Sequence, residues 1–130
     1  LGVSQLSRID SINKMRINIA NTYDKLIKNI SGITIPKKKS DRNHIYHLYT
    51  IKIEKNFHLS RDELFSKLSS KGIGTSVQYF PLHKMSYYKN NSSTKKKFAN
   101  AEKLKDQVLC LPIFPKMTLK QIEYIVSNLQ

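Results

Sequence analysis

Gly72-Ile-Gly-Thr-Ser-Val-Gln-Tyr-Phe-Pro-Leu-His-Lys-Met-Ser-Tyr-Tyr88 passes from a helix stop through an apolar tract to a polar, aromatic loop. Gly72 follows a helical run and suits the left-handed position just past a helix, where any side chain is strained. Thr75 to Phe80 is short, apolar and partly β-branched, which predicts a buried strand. Pro81 has no N–H to give a ladder, so the chain leaves the sheet there. Beyond it come His83, Lys84, Tyr87 and Tyr88. An imidazole, an ammonium and two phenols are thus carried on a segment anchored by a strand, a usual place for binding chemistry.

Upstream, Ser60-Arg-Asp-Glu63 has capping-box spacing and opens a helix whose buried side is Leu64, Phe65 and Leu68. His44 to Ile53 alternates as a strand, with His44, Tyr46, Leu48 and Thr50 on one face and Ile45, His47, Tyr49, Ile51 and Ile53 on the other. Pro36 to Asn43 carries proline and charge without periodicity and reads as a loop, and Ile33-Thr-Ile35 before it is a candidate edge strand. The first segment is helical: Leu6, Ile9, Ile12, Ile19, Tyr23, Leu26 and Ile30 recur at spacings of three, four or seven, and Gly32 fits the position after the helix. A helix over 4–30 spans roughly 40 Å. Its overhang fits an element reaching a further domain or a second subunit; a helix lying across one sheet face with a frayed start fits the pattern as well.

Downstream, His83 to Thr94 has too few aliphatics to form core and reads as a mobile surface loop. Phe98, Ala101 and Leu104 support a short helix, Val108 to Leu111 a last strand, and Pro112 and Pro115 a turn. Thr118-Leu-Lys-Gln121 is a second capping box, opening a helix that turns Ile122, Ile125, Val126 and Leu129 inward. The order helix, strand, helix, strand, helix, strand, helix gives the fold class α+β, with a small mixed or antiparallel sheet covered by helices.

At 130 residues with 39% apolar content, the chain is long enough for one domain with one core. No run approaches the ~20 apolar residues of a membrane span, and no charged-then-apolar leader is present, so a soluble cytoplasmic protein is expected. The single Cys110 lies in an apolar run and reads as a packed thiol. A formal charge of +14 raises nucleic-acid binding as an alternative function. Lysine far outnumbers arginine and is spread over every segment, which reads instead as compositional drift; the clusters Lys37-Lys-Lys39 and Lys95-Lys-Lys97 read as solvated loop or helix ends.

His44 and His47 are expected on opposite strand faces with no cysteine or carboxylate at ligand spacing, so no metal site is assigned. His58 sits in a turn facing solvent. His83 follows a strand end among polar neighbours and is either a site residue or an inert surface histidine. Tyr79 is either a strand aromatic filling the core or a phenol available to a ligand. No G-x-S-x-G elbow and no paired catalytic carboxylates are evident.

The opening tract resembles the G-I-G-T-x-x-x-Y-x-P-L-H-x-x-x-Y-Y segment of the DegT/DnrJ/EryC1/StrS sugar aminotransferases. Three more segments agree in order. Leu1-Gly-Val-Ser-Gln-Leu-Ser-Arg-Ile-Asp10 resembles the helix after the family's N-Y-R-M stretch, His44-Ile-Tyr-His-Leu-Tyr49 its Y-H-L-Y strand, and Leu109-Cys-Leu-Pro-Ile-Phe-Pro115 its S-L-P-x-F-P element. The resemblance implies the C-terminal small domain (1–130) of a pyridoxal phosphate-dependent, dimeric enzyme about three times this length, with helix 4–30 linking to the larger domain. It implies amino transfer from glutamate or glutamine to a nucleotide-linked keto sugar, in surface polysaccharide or glycan biosynthesis. No lysine here sits in the family's S-x-x-K-x-x-x-x-G-E-G-G setting, so cofactor chemistry is expected elsewhere, and these residues alone are expected to be inactive. His83 and Tyr79 match the Y-x-P-L-H pattern, which implies that they contribute to substrate binding. Gln78, grouped with them, stands where many relatives carry histidine, and its neutral amide cannot titrate. A stand-alone basic binding module and a non-catalytic regulatory domain are the alternative functions.

Overall fold

The computed structural model describes residues 2–88 and 98–130. Three strands, β1 (Ile33–Thr34), β2 (Tyr49–Ile53) and β3 (Val108–Leu111), form an antiparallel sheet in that order. Register places Tyr49 opposite Leu111 and Ile51 opposite Leu109, and Ile33 opposite Ile53. These six side chains are buried while Thr50 and Lys52 between them are half-exposed, so the period-two pattern of β2 gives the sheet one closed face.

Five helices accompany it: α1 (Gly2–Leu6), α2 (Ile9–Ile27), α3 (Arg61–Ser70), α4 (Ala99–Lys105) and α5 (Leu119–Ser127). Helix α2 packs on α5, bringing Ile19, Tyr23 and Ile27 together with Ile122, Ile125, Val126 and Leu129 over the sheet. Both capping boxes form: the Ser60 and Thr118 hydroxyls accept from the N–H groups of Glu63 and Gln121, whose side chains return the contact. Gly72 takes φ +71 after α3.

A ladder of tyrosines lies under α2. Tyr23 stacks on Tyr49 with ring centroids 4.8 Å apart, and Tyr49 on Tyr46 at 6.1 Å. The Tyr23 hydroxyl donates to the Pro112 carbonyl (2.9 Å) and the Tyr49 hydroxyl to the Asp24 carboxylate (2.6 Å). Burial pushes both phenols well above their ordinary range, with Asp24 adding to the effect at Tyr49. Cys110 is buried, its sulfur 3.3 Å from the Thr50 hydroxyl.

Several expectations are corrected. The single helix over 4–30 is two helices: the Ser7 hydroxyl and the Arg8 Nε donate back to the Ser4 carbonyl, and the chain turns there. Helix α2 ends at Ile27, so Gly32 is not its capping glycine. With φ +80 it forms the turn into β1, where an added Cβ would lie 2.7 Å from the Cα of Phe57. Ile27, not Leu26, completes the buried stripe of α2.

Strand β2 starts at Tyr49 rather than His44. Tyr46 has φ 49 and is buried, against the alternation, while Arg16 Nη1 of α2 donates to the carbonyls of Tyr46, His47 and Ile113 at 3.2, 3.3 and 3.2 Å. That side-chain clamp satisfies backbone that a ladder would otherwise hold.

Phe65 in α3 is exposed rather than buried, while the short helix read from Phe98, Ala101 and Leu104 forms as α4 with those three side chains exposed. The expected buried strand Thr75–Phe80 is reduced to one bridge, in which Ser76 and Cys110 exchange hydrogen bonds of 2.8 and 3.2 Å. The far side of Ser76 has no strand among the described residues, and Val77, Tyr79 and Phe80 are exposed. Lys95-Lys-Lys97 and the end of the expected loop His83 to Thr94 lie outside the described residues.

Candidate functional site

The Ser76–Cys110 bridge aims the following segment along α4. Pro81 is buried, a 3-10 turn follows at Leu82–Lys84, and the turn sets His83 against α4. The His83 Nε2 lies 3.2 Å from Glu102 Oε1, with the Phe98 ring at 4.8 Å from the imidazole. Lys84 Nζ reaches the other carboxylate oxygen of Glu102 at 3.0 Å. Lys84 first, and His83 second, hold the Glu102 carboxyl below its ordinary range. Glu102 therefore stays ionised and orients two neighbouring donors at once.

Gln78 and Tyr79 occupy the adjoining face. They line a cleft of about 230 Å³ with Pro81, Ala101, Leu104 and Lys105. Tyr79 is 75% exposed, so its phenol is a surface group and not core filling. Gln78 donates from Nε2 to the Ser76 hydroxyl at 3.4 Å, while its Oε1 is buried without a hydrogen-bond partner. An acceptor in that condition favours a ligand bearing an O–H or N–H.

Of the three residues singled out from sequence, Gln78 and Tyr79 share a cleft, and His83 stands on the neighbouring side of α4, tied to Glu102. From the sequence Glu102 reads as one more acid on a helix surface. Its signal was the spacing Phe98 to Glu102, which puts ring and carboxylate on one side of α4.

The remaining histidines make no such constellation. His44 and His47 both line one shallow cleft rather than opposite faces, because Tyr46 turns the chain between them. His44 Nδ1 accepts the Tyr46 N–H at 2.9 Å. His58 is exposed and rests on Phe57. No group of three metal-ligating side chains comes together among the described residues, and none of the described helices is long and apolar enough to cross a membrane.

An antiparallel sheet backed by two packed helices, with hydrogen-bonding side chains presented along one flank, defines a small α+β unit that offers binding groups. The whole chain, residues 1–130, matches the DegT/DnrJ/EryC1/StrS aminotransferase family, and it belongs to that family. The spore coat polysaccharide biosynthesis protein SpsC of Bacillus subtilis is 33% identical over 130 residues, covering 98% of this chain and 33% of SpsC. A Campylobacter jejuni UDP-4-amino-4,6-dideoxy-N-acetyl-beta-L-altrosamine transaminase is 32% identical over 129 residues, 99% of this chain and 34% of that protein. Among solved structures, S. venezuelae DesV in complex with a ketimine intermediate superposes with a TM-score of 0.85 at 30% identity, over 95% of this chain and 32% of DesV. The chain thus spans about a third of the length of these relatives.

Proposed function

We propose that these residues are the C-terminal small domain of a pyridoxal phosphate-dependent aminotransferase that transfers an amino group to a nucleotide-linked keto sugar. The observation that carries this is the family match through every residue of a chain covering only a third of its relatives. The chemistry of the flank agrees with it. Val77, Tyr79, Phe80, Leu82 and Tyr87 are apolar or aromatic and exposed, as expected of a surface that packs on the remainder of a larger enzyme and its partner subunit.

No lysine of residues 1–130 stands in the family's S-x-x-K-x-x-x-x-G-E-G-G setting. Lys105, which lines the Gln78 cleft, is paired with Asp106 at 2.9 Å and lies 6.0 Å from the centre of the Phe80 ring. The cofactor is therefore assigned to residues outside this chain, and these 130 residues alone do not transaminate. Within a cytoplasmic homodimer, Gln78 Oε1 accepts from a sugar hydroxyl, the Tyr79 phenol contacts hydroxyl or phosphate, and His83, its Nε2 turned to Glu102, offers its other ring nitrogen as an acceptor to the substrate side of the cleft.

His83→Ala in the intact enzyme tests this. Loss of one positioned hydrogen bond is expected to lower kcat/KM about tenfold while the absorbance of bound cofactor is unchanged. Loss of that absorbance, or unchanged kinetics, would remove His83 from the substrate side.

A further inference from the structure

We propose that the cleft between the β2–α3 connection and the α4–β3 turn binds a small organic anion bearing hydroxyl groups, of the polyol phosphate or hydroxycarboxylate kind. The cleft holds about 480 Å³ and shares no lining residue with the Gln78 cleft, so it is a second site and does not rest on the function proposed above. Ile53, Phe57 and Leu59 give it an apolar wall suited to a carbon skeleton.

Two polar side chains of that wall are buried: Arg61 at 9% and Gln107 at 8% exposure. Both are fixed from behind. Arg61 Nη1 donates to the carbonyls of Lys105 and Val108 at 3.0 and 3.1 Å, and Nε to the Asp62 carboxylate at 2.6 Å. The backbone of Gln107 donates to Leu104 and accepts from Ile53, but its side-chain Oε1 is buried with no hydrogen-bond partner. A buried acceptor left unpaired is unfavourable, and a ligand hydroxyl relieves it.

Charge selects the rest of the ligand. Lys55 and Lys103 line the cleft, and neither forms an ion pair with a described residue. The two carboxylates of the rim already have partners: Glu54 is held by Lys52 and Thr34, both at 2.7 Å, and Asp106 by Lys105 at 2.9 Å. Lys103 also acts on Glu54 through space. Lys55 and Lys103 are thereby left to an anion, which charge-assisted hydrogen bonds hold. A neutral polyol leaves these cations unused, and an anion without a hydroxyl leaves Gln107 Oε1 unpaired.

Calorimetric titration of the native gene product tests this with four probes: glycerol 3-phosphate, glycerate, sulfate and glycerol. Saturable binding of glycerol 3-phosphate or glycerate, about tenfold or more tighter than sulfate or glycerol, is expected, and whichever of the two binds identifies the anionic group. Lys55→Ala with Lys103→Ala is expected to weaken that binding about tenfold or more. Gln107→Met keeps the side-chain volume, and is expected to erase the preference over sulfate without lowering the melting temperature. The proposal is overturned by lack of saturation up to about 10 mM of either probe, by equal binding of sulfate, or by binding that survives both changes. A lower melting temperature in Gln107→Met would make the amide structural and overturn the hydroxyl contact.

Discussion

The sheet with α2 and α5 differs from the flank formed by Val77–Tyr88 and α4 in what becomes of apolar side chains. In the first region they meet one another: Leu109, Leu129, Ile51 and Tyr49 are fully buried. In the second, Tyr79, Leu82 and Leu104 carry comparable apolar area and are exposed by 75%, 63% and 42%. The first region owes its shape to contacts within these residues. The second leaves its apolar side chains uncovered, and holds its polar groups, Glu102 with His83 and Lys84, by local ion pairs.

The largest effect expected from this contrast is in truncation. Leu109→Ala empties a fully buried site and is expected to cost about 2–5 kcal/mol, whereas Tyr79→Ala is expected to change stability by less than about 0.5 kcal/mol. Urea unfolding of the two variants checks this, and equal losses would break the distinction between the regions.

Two glycines sharpen it at the backbone. Gly32 and Gly72 both have positive φ, but a Cβ at Gly32 would meet Phe57 backbone at 2.7 Å while nothing lies within 4 Å at Gly72. Gly32→Ala is expected to cost about 2–4 kcal/mol and Gly72→Ala about 1 kcal/mol, read as shifts in unfolding midpoint.

The tyrosine ladder gives smaller effects. Tyr49→Phe removes a hydrogen bond to Asp24 and is expected to cost about 1–2 kcal/mol; Tyr46→Phe removes a buried hydroxyl that has no partner and is expected to be near neutral. Tyr23 and Tyr49 have raised folded-state pKa values, so their contribution is complete below the ordinary value of 10.0. Above it the unfolded chain loses phenolic protons that the folded chain keeps, and stability falls as pH rises. Denaturation midpoints near pH 8 and 11 should show that loss, diminished when both tyrosines are phenylalanine. At the flank the sign is opposite: Glu102 has a lowered pKa, so its pairing with Lys84 and His83 is lost as pH falls through and below the carboxylate range. A carboxyl NMR titration of Glu102 is expected to show the low midpoint.

Elements held by local chemistry were legible in the sequence. The two capping boxes, Gly72 after α3, β3 and the inward face of α5 required only spacing and residue type. Failures came where distant groups decided: Arg16 holding Tyr46 and His47 cut β2 short, and Phe57 against Gly32 fixed a turn that resembled a helix cap. The Thr75–Phe80 tract failed for another reason. Its β-branched, apolar composition was read as burial inside one chain, but it is an edge joined by one bridge. At the candidate site, the motif proposes Gln78, Tyr79 and His83, whereas the contact of Glu102 with His83 and the unpaired Oε1 of Gln78 depend on packing between segments far apart in sequence.

The most direct test is the mass and visible absorbance spectrum of the native gene product purified from its source. A chain about three times as long as these 130 residues, carrying bound pyridoxal phosphate, is the outcome the assignment requires. A 130-residue product with no cofactor absorbance would contradict it.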